Sequence, residues 1–172
     1  MLRYLWNQYP IKKIILKDAK KSKAIIYGRR AMNRQTPGLV NAETYDYDIY
    51  RKQPRQTADK MQRTFDNNFC GGKDCFYSKQ AMHPGTYRVM HRGPDMKQGT
   101  KDDISIVDYT TPKKGIKTKR INGIFYERLS SIIQGKKKIL KDPESAYRHN
   151  KDRGDLERIR MAKKIKNFRP TW

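Results

Sequence analysis

"ETYDYDIY", residues 43–50, sets two aspartates one residue apart inside a run of aromatic and β-branched side chains. The run has the composition of a strand, and charge normally weakens a strand. Residues two apart in a strand point to the same face. Thr44, Asp46, Asp48 and Tyr50 therefore share one side, while Tyr45, Tyr47 and Ile49 share the other. The second set suits packing on a helix; the first aims two carboxylates at one point. Like charges that close repel, so the pattern requires a counter-cation. Mg²⁺ suits the task, since one or two carboxylates plus water and substrate phosphates bind it. A third carboxylate, Asp108, ends the apolar run "ISIVDY" at 104–109. If that strand lies beside the first, three acids converge, as in a two-metal phosphoryl-transfer site. The plainer alternative is a solvated face of an edge strand.

Working outward, "AIIYG" (24–28) reads as a short buried strand stopped by Gly28, followed by a basic turn entering a helix. Gly28 would let backbone approach a phosphate, and free N–H groups at a helix start attract anions. Residues 2 to about 20 read as an amphipathic helix pair broken at Pro10. Pro54 suits a first helical position, with Ala58, Met61 and Phe65 following at spacings of three and four. "CFYS", "TYRVM" and "ISIVDYT" are strand candidates separated by turn-prone segments. From Gly123 the pattern turns helical, with Ile124, Leu129, Ile132 and Ile133 on one apolar face. Asp142 and Pro143 mark a helix start. Leu156, Ile159, Ala162 and Ile165 outline a last helix, and Arg158 to Arg169 holds six basic residues and no acidic one. The fold class expected is α+β: a mixed sheet flanked by helices, with a basic C-terminal helical tail. The divisions expected are an N-terminal helical segment (1–22), a core (23–122), and C-terminal helices with the basic tail packed on it (123–172).

The charge balance is extreme. Lys and Arg number 40 against 17 Asp and Glu, a net +23. Hydrophobic content is 35%, against roughly 45–50% in an ordinary soluble domain. The core is small, and the surplus charge needs a polyanion, nucleic acid first among them. No basic amphipathic stretch has the apolar face a membrane surface needs. "MLRYLWNQYP" lacks the features of a secretory signal, and no apolar run reaches the ~18 residues that span a bilayer. The expectation is a cytoplasmic, intracellular protein, virus-encoded examples included, with reduced thiols and no membrane partner.

The order strand, "GRRAMN" (28–33), "TYDYDI" (44–49), then Asp108 in "IVDY" resembles the nucleotidyltransferase superfamily, which includes poly(A) polymerases, polymerase β-like enzymes and small bacterial or viral relatives. Members show a pattern like GGxAxN, then TxDxD, then a third Asp. "AYRHNKDRGDLERI" (146–159) also resembles the helix that follows this domain in small relatives, so the likeness spans about residues 24–160. It implies a nucleotidyltransferase-like sheet and transfer of a nucleoside monophosphate from an NTP, with two Mg²⁺ ions. Asp46, Asp48 and Asp108 would be catalytic and metal-binding. Gly28 with Arg29 or Arg30 would cradle the triphosphate. Arg29 departs from the pattern, which has Gly or Ser there; it either clamps the triphosphate or marks an altered pocket.

Lys113, Lys114, Lys117, Lys136, Lys137 and Lys138 form basic runs expected to track a nucleic-acid backbone. Tyr109 and Tyr126 lie nearest them in sequence and are candidates for base stacking. Cys70 and Cys75, with His83 and His91 downstream, allow a zinc site at the edge of usual spacing; two packed thiols are the simpler reading. Asp152 and Asp155 read as structural charges on the last helix. The rival function is a non-catalytic basic nucleic-acid-binding protein, or a virion or ribonucleoprotein component, on the same fold.

Overall fold

The computed structural model describes residues 9–167. Helix α1 (Tyr9–Lys21) contains Pro10 in its first turn, where a missing N–H costs nothing. Residues 2–8 of the expected helix pair lie outside the described residues. Ile11, Ile15 and Ala19, four apart, are buried.

Seven strands form one sheet: β1 (Ile25–Tyr27), β2 (Tyr47–Tyr50), β3 (Phe76–Gln80), β4 (Thr86–His91), β5 (Ile104–Thr110), β6 (Thr118–Ile121) and β7 (Ile124–Glu127). Their order is β3-β4-β5-β2-β1-β7-β6. β2 runs parallel to β5, and β1 parallel to β7; the other neighbours are antiparallel. The strand bearing Asp48 is thus seated directly beside the strand bearing Asp108, as expected. The architecture is α+β, a mixed sheet with five α-helices among the described residues.

Alternation divides the sheet into two faces. Ile26, Ile49, Val89, Val107 and Tyr109 are fully buried on one face and belong to one hydrophobic core. Helix α1 and helix α3 (Pro54–Phe69) cover that face, α3 lying against β3, β4 and β5. Pro54 opens α3, and Ala58, Met61 and Phe65 sit on its buried stripe. The Phe65 ring centre stands 5.1 Å from that of Phe76, and burying such a ring contributes on the order of 2 kcal/mol. At the far end of α3, Asp66 Oδ1 accepts from the backbone N–H groups of Cys75 and Phe76 at 2.9 and 2.8 Å, folding the loop back into β3. Within this loop Cys70 and Cys75 are joined as a disulfide. That corrects the expectation of reduced thiols and removes both sulfurs from any zinc site. The two histidines are also apart from them in role: His91 Nδ1 accepts from Gly93, and His83 meets Tyr147.

The region after Gly123 departs most from expectation. Asn122 and Gly123 both have positive φ, 52° and 81°, the backbone of a two-residue hairpin turn. They join β6 to β7, and β7 pairs with β1. Ile124 is therefore a strand residue and not the first of a helical face, and the sheet runs past residue 122. Helical structure begins with α4 (Leu129–Ile139) and resumes, after a 3₁₀ segment (Pro143–Arg148), in α5 (His149–Asn167). Asp142 caps the 3₁₀ segment by accepting from Glu144 N–H at 3.1 Å. Along α5, Ile159 and Ala162 are buried but Ile165 is exposed. Among the described residues no helix is long and apolar enough to cross a membrane.

Candidate active site

The other face of the sheet carries a charged row. Tyr27 pairs with Asp48, Asp48 with Asp108, Asp108 with Arg88, and Arg88 with Lys79, each directly across from the next. Directly opposed residues point to the same side, so register alone assembles these five side chains. Asp46 lies in the bend just before β2 and is half-buried, like Asp48. Thr44 Oγ1 donates to Asp46 Oδ1 at 3.4 Å.

Asp48 has no hydrogen bond to its carboxylate among the described residues. Burial, then the nearby charges of Asp46 and Asp108, push its carboxyl up to about 7, while Lys151 and Arg88 pull it down less strongly. The two carboxylates thus repel without a cation of their own. Gly28, with φ +67°, begins the six-residue helix α2 (Gly28–Asn33) beside them, and a Cβ there would overlap the Asp48 carboxylate. The absence of a side chain at residue 28 keeps this carboxylate open. Oxygen donors of this kind, half-buried and without an ion-pair partner among the described residues, fit a hard divalent ion.

Asp108 differs. It is 7% exposed, and Arg88 grips both its oxygens: Nε donates to Oδ1 and Nη2 to Oδ2, each at 2.6 Å. Among the described residues no three His, Cys, Asp or Glu side chains stand as a ligand group for a metal. The residues fit one ion at Asp46 and Asp48, while each Asp108 oxygen is already held by Arg88.

The two arginines after Gly28 donate hydrogen bonds to groups other than these carboxylates. Arg30 donates from Nε to the Asp46 carbonyl at 2.7 Å and from Nη2 to the Tyr45 carbonyl at 2.9 Å, with its guanidinium 3.7 Å from the Tyr47 ring centre. It clamps the backbone that leads into β2. Arg29 donates from Nε to Asp155 Oδ1 at 3.0 Å. That aspartate is fully buried in α5 and also accepts from Lys136 Nζ at 2.7 Å. Lys136 donates as well to Asp152 Oδ1 at 2.6 Å, and Arg148 to Asp152 Oδ2 at 2.8 Å. The chain of contacts Arg29–Asp155–Lys136–Asp152–Arg148 ties the Gly28 turn to all three C-terminal elements. Burial would raise the Asp152 carboxyl, but the hydrogen bonds from Lys136 and Arg148 outweigh it and hold it below its usual range.

Lys136 is therefore corrected from a phosphate-facing residue to an internal one, 8% exposed. Lys113, Lys114, Lys117, Lys137 and Lys138 are exposed, as a backbone-tracking role requires. Tyr109 and Tyr126 are buried on the helix-covered face, so neither offers a ring to a base. On the carboxylate face, beside Asp48, Tyr27 and Tyr50 stack on each other with ring centres 4.0 Å apart. One residue bonded into the carboxylate row, Arg88, went unread in the sequence. Arg88 had a signal, because alternation in "TYRVM" separates it from its buried neighbours; its partner lies on the next strand, beyond a long loop.

No protein-family model matches the sequence, and no curated protein is similar enough in sequence to count as a match. Solved structures do match. Over 88% of its length the chain superposes on the Megavirus polyadenylate synthase with a TM-score of 0.69 and 18% identity, spanning 30% of the synthase. A looser likeness, TM-score 0.48 at 14% identity, covers 79% of this chain and 56% of JHP933 from Helicobacter pylori. The fold is nucleotidyltransferase-like.

Proposed function

We propose that this chain is a divalent-metal-dependent nucleotidyltransferase that moves a nucleoside monophosphate from an NTP to an acceptor hydroxyl, releasing pyrophosphate. The observation that carries the reading is Asp46 and Asp48: two half-buried carboxylates without an ion-pair partner among the described residues, beside a glycine, on a nucleotidyltransferase-like sheet. Asp46 and Asp48 would hold Mg²⁺, which when bound neutralises triphosphate charge and lowers the pKa of a hydroxyl in its reach. Gly28 leaves the approach to these carboxylates clear. Lys151, whose charge is felt at Asp48, stands ready to offset charge on a bound phosphate. Arg29 acts at one remove, fixing the Gly28 turn to α5 through Asp155.

A nucleic-acid end is the acceptor class that accounts for the +23 charge, with Lys113, Lys114, Lys117, Lys137 and Lys138 contributing to phosphate contact. A small-molecule acceptor would leave that surplus without a use. The Arg88–Asp108 pair favours a second reading, a basic nucleic-acid-binding protein that has the fold without the chemistry. Incubating the purified protein with Mg²⁺, each labelled NTP, and RNA or DNA separates the two. Label incorporated into nucleic acid and lost on chelation supports the transferase; binding without incorporation from any NTP supports the rival.

A further inference from the structure

We infer that Arg88 takes the place of a second cation at this site, so that the chain holds a single divalent ion, on Asp46 and Asp48. The inference rests on the reading of those two aspartates as a metal-nucleotide site. It concerns how many ions that site takes and what fills the rest of it.

A carboxylate can ligate an ion only through an oxygen it can turn toward that ion. Asp108 is committed at both oxygens to one guanidinium, in the parallel two-bond arrangement that suits a planar fork. The commitment comes from the sheet itself. Arg88 and Asp108 are direct cross-strand partners in the β4–β5 ladder, and Asp108 is the direct partner of Asp48 in the β2–β5 ladder. Neither side chain needs an unusual excursion to make the pair, and Asp108 has little exposed surface through which water could compete.

Charge points the same way. Three carboxylates side by side need compensation, and the guanidinium supplies it permanently to one of them, since arginine does not lose its proton in proteins. The remaining two have no ion-pair partner among the described residues, and that is the complement one divalent ion would meet. A guanidinium also differs from a metal ion in kind: it is weakly hydrated, cannot coordinate a lone pair as a Lewis acid, and offers only N–H donors. Arg88 is thus a positioning and charge-balancing residue for the carboxylate row.

Counting ions tests this. The full chain is equilibrated with Mn²⁺ and a saturating NTP analogue whose α,β bridge cannot be cleaved, and Mn²⁺ is counted per bound nucleotide by electron paramagnetic resonance. Wild type should hold one Mn²⁺. Arg88→Ala should hold two, and Arg88→Ala combined with Asp108→Asn should return to one. Asp108→Asn alone, which keeps the side-chain shape should Arg88→Ala fold poorly, should leave Mn²⁺ affinity within about twofold of wild type, because the ion does not depend on that oxygen. Two Mn²⁺ per nucleotide in wild type, or a tenfold loss of Mn²⁺ affinity in Asp108→Asn, would overturn the inference while leaving the transferase reading intact. Failure of wild type to bind the analogue at all would overturn the transferase reading, and this inference with it.

Discussion

Two groups of aspartates lie on either side of the Gly28 turn, and they are treated in opposite ways. Asp152 and Asp155, both fully buried, meet Lys136, Arg148 and Arg29 at 2.6–3.0 Å. Asp46 and Asp48, both half-buried, have no ion-pair partner among the described residues, and Asp48 is pushed toward the neutral form. A carboxylate kept for the fold is paired, because an unpaired buried charge costs several kcal/mol. A carboxylate kept for a ligand must remain short of partners until the ligand arrives. Asp108 stands between these cases: near Asp48 by register, but paired like the structural group.

The contrast is broken most severely by substitutions that exchange the two roles. Asp46→Asn or Asp48→Asn should lower nucleotidyl transfer at least a hundredfold, since the charge that holds a divalent ion is worth several kcal/mol in the transition state, and should leave the fold intact. Steady-state incorporation of labelled NTP alongside a circular dichroism spectrum checks both halves. Lys136→Ala should do the reverse. It removes the cation that two buried aspartates share and leaves each with one arginine, at a cost of up to about 3 kcal/mol, which at ~2–4 °C per kcal/mol lowers Tm by on the order of 10 °C. A thermal melt in metal-free buffer reads this directly.

The two groups should also give pH dependences of opposite sign. Asp152 is held below its usual range in the folded state. Its contribution is present above the unfolded carboxyl range near 3.9 and lost as pH falls through the lower folded value. Asp48 is raised from 3.8 to about 7. Its protonated form stabilises the fold fully below the unfolded value, and that stability is lost as pH rises toward and past about 7. Between pH 5 and 8, without metal, wild type should lose on the order of 2 kcal/mol from this group, and Asp48→Asn should lose far less. Denaturant midpoints across that range measure the difference.

A smaller effect is expected at Lys137 and Lys138, neighbours of Lys136 in one run but exposed where it is buried. Replacing both by Ala should change stability by less than about 0.5 kcal/mol. On single-stranded RNA it should make the slope of log K against log salt shallower by about 1.4, at ~0.7 for each phosphate that is no longer neutralised. Filter binding over a salt series gives the slope.

The same residues explain what sequence reading reached and where it stopped. The period of two in "TYDYDIY" and in "ISIVDYT" identified the carboxylate face, and the β2–β5 ladder brings Asp48 and Asp108 side by side. The same alternation also places Tyr109 opposite Asp108, which its candidacy as a stacking residue overlooked. Asn122-Gly123 is a strong local hairpin signal, but the apolar residues after it also fit a helical spacing, and the wrong period prevailed. Lys136 follows Ile132 by four residues and so shares its buried stripe. Its neighbours in "GKKKILK" made the whole run read as solvated. What no local pattern carries is pairing across distance: Arg88 with Asp108, Arg29 with Asp155, and Lys136 with both aspartates of α5 depend on tertiary register.

The central claim is that Asp46 and Asp48 are left unpaired for a cation brought with a nucleotide. The most direct measurement is the melting temperature of wild type and Asp48→Asn, each without metal and then with Mg²⁺ plus a non-hydrolysable NTP. The account predicts that the variant is at least as stable as wild type without metal, because carboxylate repulsion is relieved, and that the additions raise Tm for wild type alone. A variant less stable than wild type in metal-free buffer, or an equal rise in both proteins, would contradict it.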